Sequence, residues 1–251
     1  MTQVLQIKLY DAGLDTAVQD FIDTCDPALP RLNRCVSATG AHGLVNAFKD
    51  PEFRSTLDSF HWNLPDGMPG VWVGRLKGAK EMTRCSGPDF FKQVLEESSN
   101  TSVKHFFCGG KEGVADELRE AVAKKFGNTN VVGTYSPPFR EMSDDELREL
   151  ADTINRAGTD ALWIGLSTPK QERFARRLAA AGLKVHFVVT VGAAFDFHTD
   201  RITQAPGWMQ KFSLEWFYRM MSEPRRLSKR YLEVVPMFIF LNLKEIFSSA
   251  K

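Results

Sequence analysis

The 251-residue sequence has no run of about 18 apolar residues, the length that a membrane-spanning helix needs. It has little cysteine, and the spacing of Cys25, Cys35, Cys85 and Cys108 matches no zinc or redox motif. The first residues show no signal-peptide pattern. These absences predict reduced, mostly buried thiols in a protein that stays in the cytoplasm.

Motifs that hold metal ions or nucleotides are also missing. No two aspartates are spaced D-x-D, a pair that commonly holds a divalent ion on a diphosphate, and the five histidines show no ligand spacing. The glycine-rich stretch 109–113 is neither G-x-G-x-x-G nor a Walker A loop. We therefore expect no metal and no cofactor, so that N–H groups and cations must stabilise any diphosphate.

The net charge of +1 excludes binding of nucleic acid through overall charge. The charge is uneven, because residues 201–251 contain nine Lys and Arg but four Asp and Glu. Aromatic residues such as Trp216 and Tyr218 flank the arginines there. This combination favours a membrane surface or an anionic ligand, although such runs are more often solvated helix faces.

Hydrophobic periodicity predicts alternating strands and helices up to residue 200. The expected strands are 35–39, 103–108, 130–135, 161–166 and 185–191, and the expected helices are 44–59, 88–97, 114–126, 144–157 and 170–181, with a further helix starting at 71–76. This order predicts a Rossmann-like α/β fold with a mainly parallel sheet. Residues 1–200 would form the core, and residues 201–251, helical over 208–221 and 224–247, an amphipathic basic appendage that associates with membranes and closes the site.

Ligands of such sheets bind beyond the carboxyl ends of the strands. Gly109 and Gly110 there could admit a phosphate, or simply form a tight turn. Ser136, Pro137 and Arg140 follow the next strand and suit an anionic group, or a rigid turn with a solvated arginine. Asp196 could accept hydrogen bonds from ribose hydroxyls, or act as a cap or salt-bridge partner.

Asp66 lies in a Pro-Asp-Gly turn and is a candidate general base, although Asp-Gly is also a common turn pair. Burial would have to raise its pKa towards neutrality. Arg219, Arg226 and Arg230 in the basic segment are candidates for binding phosphate groups.

Eight segments in unbroken order over roughly residues 33–232 give a more specific signal: Pro65-Asp66-Gly67-Met68, Arg84-Cys85-Ser86-Gly87-Pro88-Asp89, Phe107-Cys108-Gly109-Gly110-Lys111, Ser136-Pro137-Pro138-Phe139-Arg140, Pro169-Lys170-Gln171-Glu172, Val191-Gly192-Ala193-Ala194-Phe195-Asp196, Arg201-Ile202-Thr203-Gln204-Ala205-Pro206 and Leu214-Glu215-Trp216-Phe217-Tyr218-Arg219. With these segments the chain resembles the WecG/TagA/CpsF glycosyltransferases (family 26).

The resemblance implies an inverting, metal-independent enzyme that moves a sugar from a UDP-sugar to a polyprenyl-diphosphate-linked saccharide, for cell-surface polysaccharides, at the inner face of the cytoplasmic membrane. It implies Asp66 as base, with Gln171 and Thr39 as further catalytic residues. It also implies that the C-terminal arginines Arg219 and Arg226 complete the site, and Arg84 and Arg230 are further candidates for contacting substrate. The sequence leaves open a homo-oligomer.

One segment departs from the family pattern. Many members carry Thr-x-Asn at the end of the first strand, but here Thr39 is followed by Gly40 and Ala41. His42 could replace the missing polar group, or be a surface residue in a turn.

Two alternatives to a transferase have weaker support. A nicotinamide-dependent oxidoreductase requires a G-x-G-x-x-G turn with an acid about 20 residues on, and neither is in place. A non-enzymatic membrane-associated binding protein would explain the basic segment but not the polar loops at the strand ends.

Overall fold

The computed structural model describes residues 1–248, apart from the side chains of Arg226, Phe247 and Ser248. Its strands, in chain order, are β1 Thr2–Val4, β2 Ile7–Leu9, β3 Arg34–Thr39, β4 Trp62–Pro65, β5 His105–Gly109, β6 Val131–Tyr135, β7 Ala161–Gly165 and β8 Phe187–Thr190. Its helices are α1 Leu14–Thr24, α2 Ala41–Lys49, α3 Pro51–Asp58, α4 Met68–Leu76, α5 Gly87–Glu97, α6 Val114–Phe126, α7 Asp144–Arg156, α8 Lys170–Ala180, α9 Ala194–His198, α10 Gly207–Lys211, α11 Glu215–Ser222 and α12 Pro224–Ser248.

Six strands form one parallel sheet in the order β4-β3-β8-β7-β5-β6, and β1 and β2 form a separate antiparallel hairpin. Helices α1, α5, α6 and α9 pack on one face, and α7 and α8 pack on the other. The helix that follows β5 and the helix that follows β7 therefore lie on opposite faces. That reversal creates a crevice at the carboxyl ends of β5 and β7, where open α/β sheets bind ligands.

The central strands are apolar because helices cover both faces of the sheet. All residues of β5, β7 and β8 are buried. Trp163 of β7 packs on the face of the sheet that α1, α5, α6 and α9 cover, while its neighbours Leu162 and Ile164 pack on the face that α7 and α8 cover. The ring of Phe21 from α1 stacks on Phe187 of β8 with 4.2 Å between centroids. This packing fixes the sheet that carries the loops of the site.

The predicted α/β fold with a parallel sheet is confirmed, and α6 has the predicted bounds. The single helix predicted over 44–59 is wrong. Asp50 ends α2 and caps α3 by accepting hydrogen bonds from the amides of Glu52 and Phe53, and Pro51 occupies the first position of α3. Proline favours that position because it has no N–H to leave unpaired.

The single helix predicted over 208–221 is also two helices, α10 and α11. Ser213 has a φ of 60°, a left-handed conformation that breaks the helical path between them. Neither β4 nor the N-terminal hairpin was predicted from the sequence. Four residues are too few to show a clear period, and each hairpin strand has three.

The long helix α12 packs along α2. Its buried residues Val234, Phe238 and Leu241 belong to a third hydrophobic cluster, which also contains Leu44 and Val45 of α2. Other apolar side chains of α12 face outward: Leu232, Ile239, Phe240 and Leu243. None of the described helices has the length and apolar character to cross a membrane. The division into a core and an appendage near residue 200 stays a prediction.

Gly87 is a sharp test of this packing. A Cβ at this position would lie 2.6 Å from the carbonyl oxygen of Val191, and backbone cannot move aside cheaply. Gly87→Ala should therefore lower the free energy of unfolding by about 1–3 kcal/mol in urea denaturation. At Gly207 no atom of the described residues lies within 4 Å of an added Cβ, so Gly207→Ala should change the free energy of unfolding by less than about 0.5 kcal/mol. Equal stabilities of the two variants would contradict this packing.

Candidate active site

The predicted site residues of the core follow the carboxyl ends of all six parallel strands. In sheet order, these are Asp66 after β4, Thr39 at the end of β3, Asp196 after β8, Gln171 after β7, Gly109 and Gly110 at the end of β5, and Ser136, Pro137 and Arg140 after β6. Parallel pairing places these residues along one edge of the sheet.

Asp66 is held by backbone from two neighbouring segments. Its amide donates to the carbonyl of Thr39 at 3.2 Å, and its Oδ1 accepts from the amide of Gly87 at 3.3 Å. Gly40 passes so close that an added Cβ would lie 2.8 Å from the Asp66 carbonyl oxygen. The carboxyl group is therefore fixed between the end of β3 and the start of α5.

Burial raises the pKa of Asp66 to about 6. The nearby charges act in both directions, since Arg84 and Arg219 lower this pKa and Glu215 raises it, while the bond from Gly87 lowers it. An aspartate with this pKa is ionised at pH 7 yet is a stronger base than an ordinary aspartate. That combination suits a general base working near neutral pH.

Arg84 connects the core to the C-terminal helices. Its guanidinium lies 2.6 Å from Asp89, 2.9 Å from Gln210 of α10 and 2.7 Å from Glu215 of α11. The side chain is 15% exposed, so these charge-assisted bonds are partly shielded from water. Arg84 is thus held next to Asp66 by three partners from different helices.

Thr39 and Gln171 belong to one buried polar network. The hydroxyl of Thr39 lies 3.0 Å from Oγ of Ser37, which donates to Oε1 of Glu172 at 3.2 Å. The amide nitrogen of Gln171 donates to the same Oε1 at 2.9 Å, and its amide oxygen accepts from the backbone of Gly192 at 3.1 Å. The structure therefore brings both residues together through Glu172.

Gly109 and Gly110 lie at the crevice between β5 and β7. The amide of Gly110 donates to the carbonyl of Gly165, and a Cβ on Gly109 would lie 2.5 Å from the same oxygen. Both glycines have positive φ angles, which other residues adopt only with strain. Glycine is therefore required here by the close approach of β7, whether or not a phosphate binds.

Ser136 and Pro137 line a hollow of about 460 Å³ together with Tyr135 and Asp116. It lies at the carboxyl edge, next to the crevice. A hollow of about 430 Å³ at the opposite edge, lined by Asp23, Cys25 and Thr101, contains no predicted site residue. We take the first hollow as part of the candidate site because the other candidate groups share its edge.

Two of the predicted site residues, Arg140 and Asp196, bond to groups within six residues of them in the sequence. Arg140 is exposed and forms a two-pronged ion pair with Glu146, at 2.8 and 2.6 Å. Asp196 lies in the first turn of α9, where its carbonyl accepts from the amides of Arg201 and Ile202. Substrate contacts by either residue stay predictions.

The C-terminal arginines are distributed over two places. Arg219 lies over the ring of Phe197 at 5.6 Å and affects the pKa of Asp66. Arg230 lies over Tyr231 at 4.9 Å and near His42. In the part of the chain that the structure describes, the buried Nε of each arginine has no hydrogen-bond partner. The side chain of Arg226 lies outside the described residues.

His42 is a partly buried residue of α2, and its Nε2 lies 3.2 Å from the amide nitrogen of Asn46. Burial and the Arg230 charge lower the pKa of His42 to about 4, so the imidazole is neutral at pH 7. A neutral ring can accept a hydrogen bond, as the missing Asn could.

The sequence analysis missed two acids of the site, Glu172 and Glu215. Both lie inside the motifs quoted for the resemblance, but each was read only through a neighbour, Gln171 or Arg219. The missing signal is three-dimensional, because Glu172 bonds to Ser37, 135 residues away, and Glu215 bonds to Arg84, 131 residues away.

The chain matches one known protein family and is similar to two bacterial enzymes. The family model described as "Glycosyl transferase WecG/TagA/CpsF family" matches residues 2–251. An N-acetylglucosaminyldiphosphoundecaprenol N-acetyl-beta-D-mannosaminyltransferase of Bacillus subtilis (strain 168) is 31% identical over 215 residues, covering 86% of this chain and 81% of the relative. The protein of the same name from Bacillus spizizenii (strain ATCC 23059 / NRRL B-14472 / W23) is 29% identical over 205 residues, covering 82% and 77%.

The raised pKa of Asp66 predicts a cost in stability. The folded state holds this proton more tightly than the unfolded state, so ionisation destabilises the fold as pH rises from the ordinary value of 3.8 past about 6. Asp66→Asn removes the charge and keeps an acceptor for Gly87. It should raise the free energy of unfolding at pH 8 by up to about 3 kcal/mol, and by progressively less as pH falls towards 4.

Urea denaturation at several pH values measures this difference. Asp152→Asn, on the exposed face of α7, is the matched control and should change stability by less than about 0.5 kcal/mol. An Asp66→Asn protein that is less stable than wild type at pH 8 would contradict a desolvated carboxylate.

Proposed function

Because the chain belongs to the WecG/TagA/CpsF family of glycosyltransferases, we propose that it moves a hexose or N-acetylhexosamine from a UDP-sugar to a polyprenyl-diphosphate-linked saccharide. The acceptor follows from the names of the two Bacillus relatives, which act on N-acetylglucosaminyldiphosphoundecaprenol. N-acetylmannosamine is the first sugar to test, since both relatives are named for it. The family assignment disfavours both the oxidoreductase and the non-enzymatic alternatives.

The observation that carries the proposal is a buried carboxylate, held by the amide of Gly87, whose pKa is raised by burial and on which the charges of two arginines act. Asp66 takes the proton of the acceptor hydroxyl, whose oxygen attacks the anomeric carbon of the donor. The bond from that carbon to the UDP oxygen breaks on the opposite side, which inverts the anomeric configuration. UDP leaves with the electron pair of the broken bond.

The leaving diphosphate needs positive charge and N–H donors. Among the described residues, the buried Nε of Arg219 has no hydrogen-bond partner, and its charge is close enough to Asp66 to change the pKa of that carboxyl. Arg84 adds a second fixed cation. With these groups the reaction requires no metal ion, in keeping with the lack of a D-x-D pair.

The C-terminal helices would also dock on the membrane that contains the acceptor. Leu232, Ile239, Phe240 and Leu243 form an exposed apolar stripe along α12, in which Leu232, Ile239 and Leu243 are seven and four residues apart and Phe240 is next to Ile239. Arg225, Lys229 and Lys244 are exposed on the same helix. Apolar groups with flanking cations suit an interface of anionic lipids. This docking places the protein at the inner face of the cytoplasmic membrane.

The pH dependence of transfer tests the base. The value of kcat/KM should fall on the acid side with an apparent pKa of about 6, because the protonated carboxyl cannot accept the hydroxyl proton. Glu215→Gln removes a charge that raises this pKa and should shift the acidic limb to lower pH. Asp66→Asn should lower kcat roughly 100- to 10,000-fold.

Release of UDP from a series of UDP-sugars, with a short-chain polyprenyl-diphosphate saccharide as acceptor and EDTA present, measures these rates. Asp152→Asn is the control and should match wild type. Wild-type turnover in Asp66→Asn would overturn the base assignment, and loss of transfer in EDTA would overturn metal independence.

Cosedimentation with vesicles tests the membrane surface. Phe240→Glu should weaken binding to vesicles that contain phosphatidylglycerol by roughly tenfold or more, because it replaces inserted apolar area with a charge. Leu29→Glu alters an exposed leucine in the segment before β3, at the other edge of the sheet, and should leave binding unchanged. Equal binding by the two variants would exclude the α12 stripe as the docking surface.

A further inference from the structure

Glu172 is a buried acid to which neither the sequence analysis nor the proposed reaction gives a role. It lies in the first turn of α8 and is 1% exposed. Three donors converge on its Oε1: the hydroxyl of Thr168 at 2.8 Å, the amide of Gln171 at 2.9 Å and the hydroxyl of Ser37 at 3.2 Å. Such a convergence fixes three side chains with one oxygen.

The hydrogen bonds of Gln171 allow only one orientation of its side-chain amide. One N–H points to Glu172 and the other lies 3.3 Å from the hydroxyl of Thr168, while the amide oxygen accepts from Gly192. A flipped amide would direct its oxygen at the Glu172 oxygen and its N–H groups at the N–H of Gly192. Glu172 therefore sets the orientation in which Gln171 holds the loop after β8.

The bond from Ser37 extends the same control to Thr39. Because Ser37 donates its only hydroxyl proton to Glu172, its oxygen is left as an acceptor for the Thr39 hydroxyl at 3.0 Å. The other two groups near that hydroxyl, the carbonyl of Ser37 and Oδ1 of Asn63, are acceptors as well. The Thr39 proton thus points inward, and a ligand could meet only the lone pairs of its oxygen.

The second carboxylate oxygen, Oε2, indicates that Glu172 does not serve mainly to stabilise the fold. Among the described residues, Oε2 is buried and has no hydrogen-bond partner. An unpaired buried polar atom costs about 1–3 kcal/mol. Burial also raises the pKa of Glu172, although the bonds from Gln171, Thr168 and Ser37 oppose that rise.

We propose that Glu172 is a positioning residue of the site: by accepting three hydrogen bonds at one oxygen, it fixes the Gln171 amide and, through Ser37, the Thr39 hydroxyl. Its own contacts reach from β3 to the loop after β7, and through Gln171 it is connected to the loop after β8, so that it links three neighbouring strands of the sheet. Its effect on turnover rests on the proposed transferase function, whereas its effect on the Gly192 loop does not.

A double-mutant cycle with Gln171 tests the kinetic part. Glu172→Ala should lower kcat roughly 10- to 100-fold, since small misplacements of groups that contact substrate have effects of this size. The loss in Gln171→Ala/Glu172→Ala should be at least about fivefold smaller than the product of the two single losses, because both changes disturb one network. Losses that multiply, or wild-type kcat in a folded Glu172→Ala, would overturn the proposal.

Exchange of the Gly192 amide hydrogen, followed by NMR, tests the structural part without any activity assay. Glu172→Ala should speed this exchange at least about tenfold as Gln171 loses its orientation. Unchanged exchange in Glu172→Ala would overturn the proposal even if transfer is impaired. If Glu172→Ala speeds the exchange but the wild-type protein transfers no sugar from any UDP-sugar, the positioning role is upheld and the proposed function is refuted.

Two further variants separate positioning from folding. Glu172→Gln keeps one acceptor oxygen, so it should lose less activity than Glu172→Ala, and it replaces Glu172→Ala in the cycle if that variant does not fold.

Glu52→Gln alters an exposed acid, also in the first turn of a helix, and should change neither kcat nor Gly192 exchange. Circular dichroism and thermal midpoints establish that each variant is folded. A Glu172→Gln protein that is as impaired as Glu172→Ala while equally well folded would contradict the role of the acceptor oxygen.

Discussion

The arrangement of the site depends on one group, the guanidinium of Arg84. It is bonded to Asp89 of α5, Gln210 of α10 and Glu215 of α11, so it joins the core to the C-terminal helices while it lies near Asp66. A partly buried cation must be paired, because an unpaired one would lose its hydration without compensation. Removing any partner therefore disturbs both the docking of the helices and the charge next to Asp66.

The same carboxyl edge contains a second arrangement with a different physical basis. Around Asp66 the groups are charged, and burial is balanced against nearby cations and an anion. Around Glu172 the partners are hydroxyls and an amide, whose directions are set by which atom donates. The first arrangement tunes the strength of a base, and the second fixes geometry. A transferase needs both, since proton transfer and the alignment of attacking and leaving groups contribute separately to rate.

The fold class and most elements of the sheet could be predicted because buried strands and amphipathic helices have distinct periods. Helix α7 illustrates this, with Leu147, Leu150 and Ile154 on one face and a capping box at Ser143. The short strand β4 could not be found in this way, although it precedes Asp66. The contacts of Arg84 with Gln210 and Glu215, and of Glu172 with Ser37, could not be found either, because they join segments that are far apart in the sequence. The resemblance identified which segments matter, and the structure shows which atoms meet.

The contact between α11 and Arg84 makes the basicity of Asp66 depend on helix docking. Two effects raise the pKa of Asp66 in the docked state, namely burial and the charge of Glu215. If α11 moved away, Glu215 and Arg219 would leave with it, while Arg84 stayed on the core with Asp89. Losing Glu215 would lower this pKa, and losing Arg219, whose effect is smaller, would raise it, so the net change in charge would weaken the base. Departure of α11 would also remove Arg219, a cation available to a diphosphate. A membrane that holds these helices in place would therefore keep Asp66 a strong base and keep Arg219 available to the diphosphate. Both effects would occur at the surface where a lipid-linked acceptor is found.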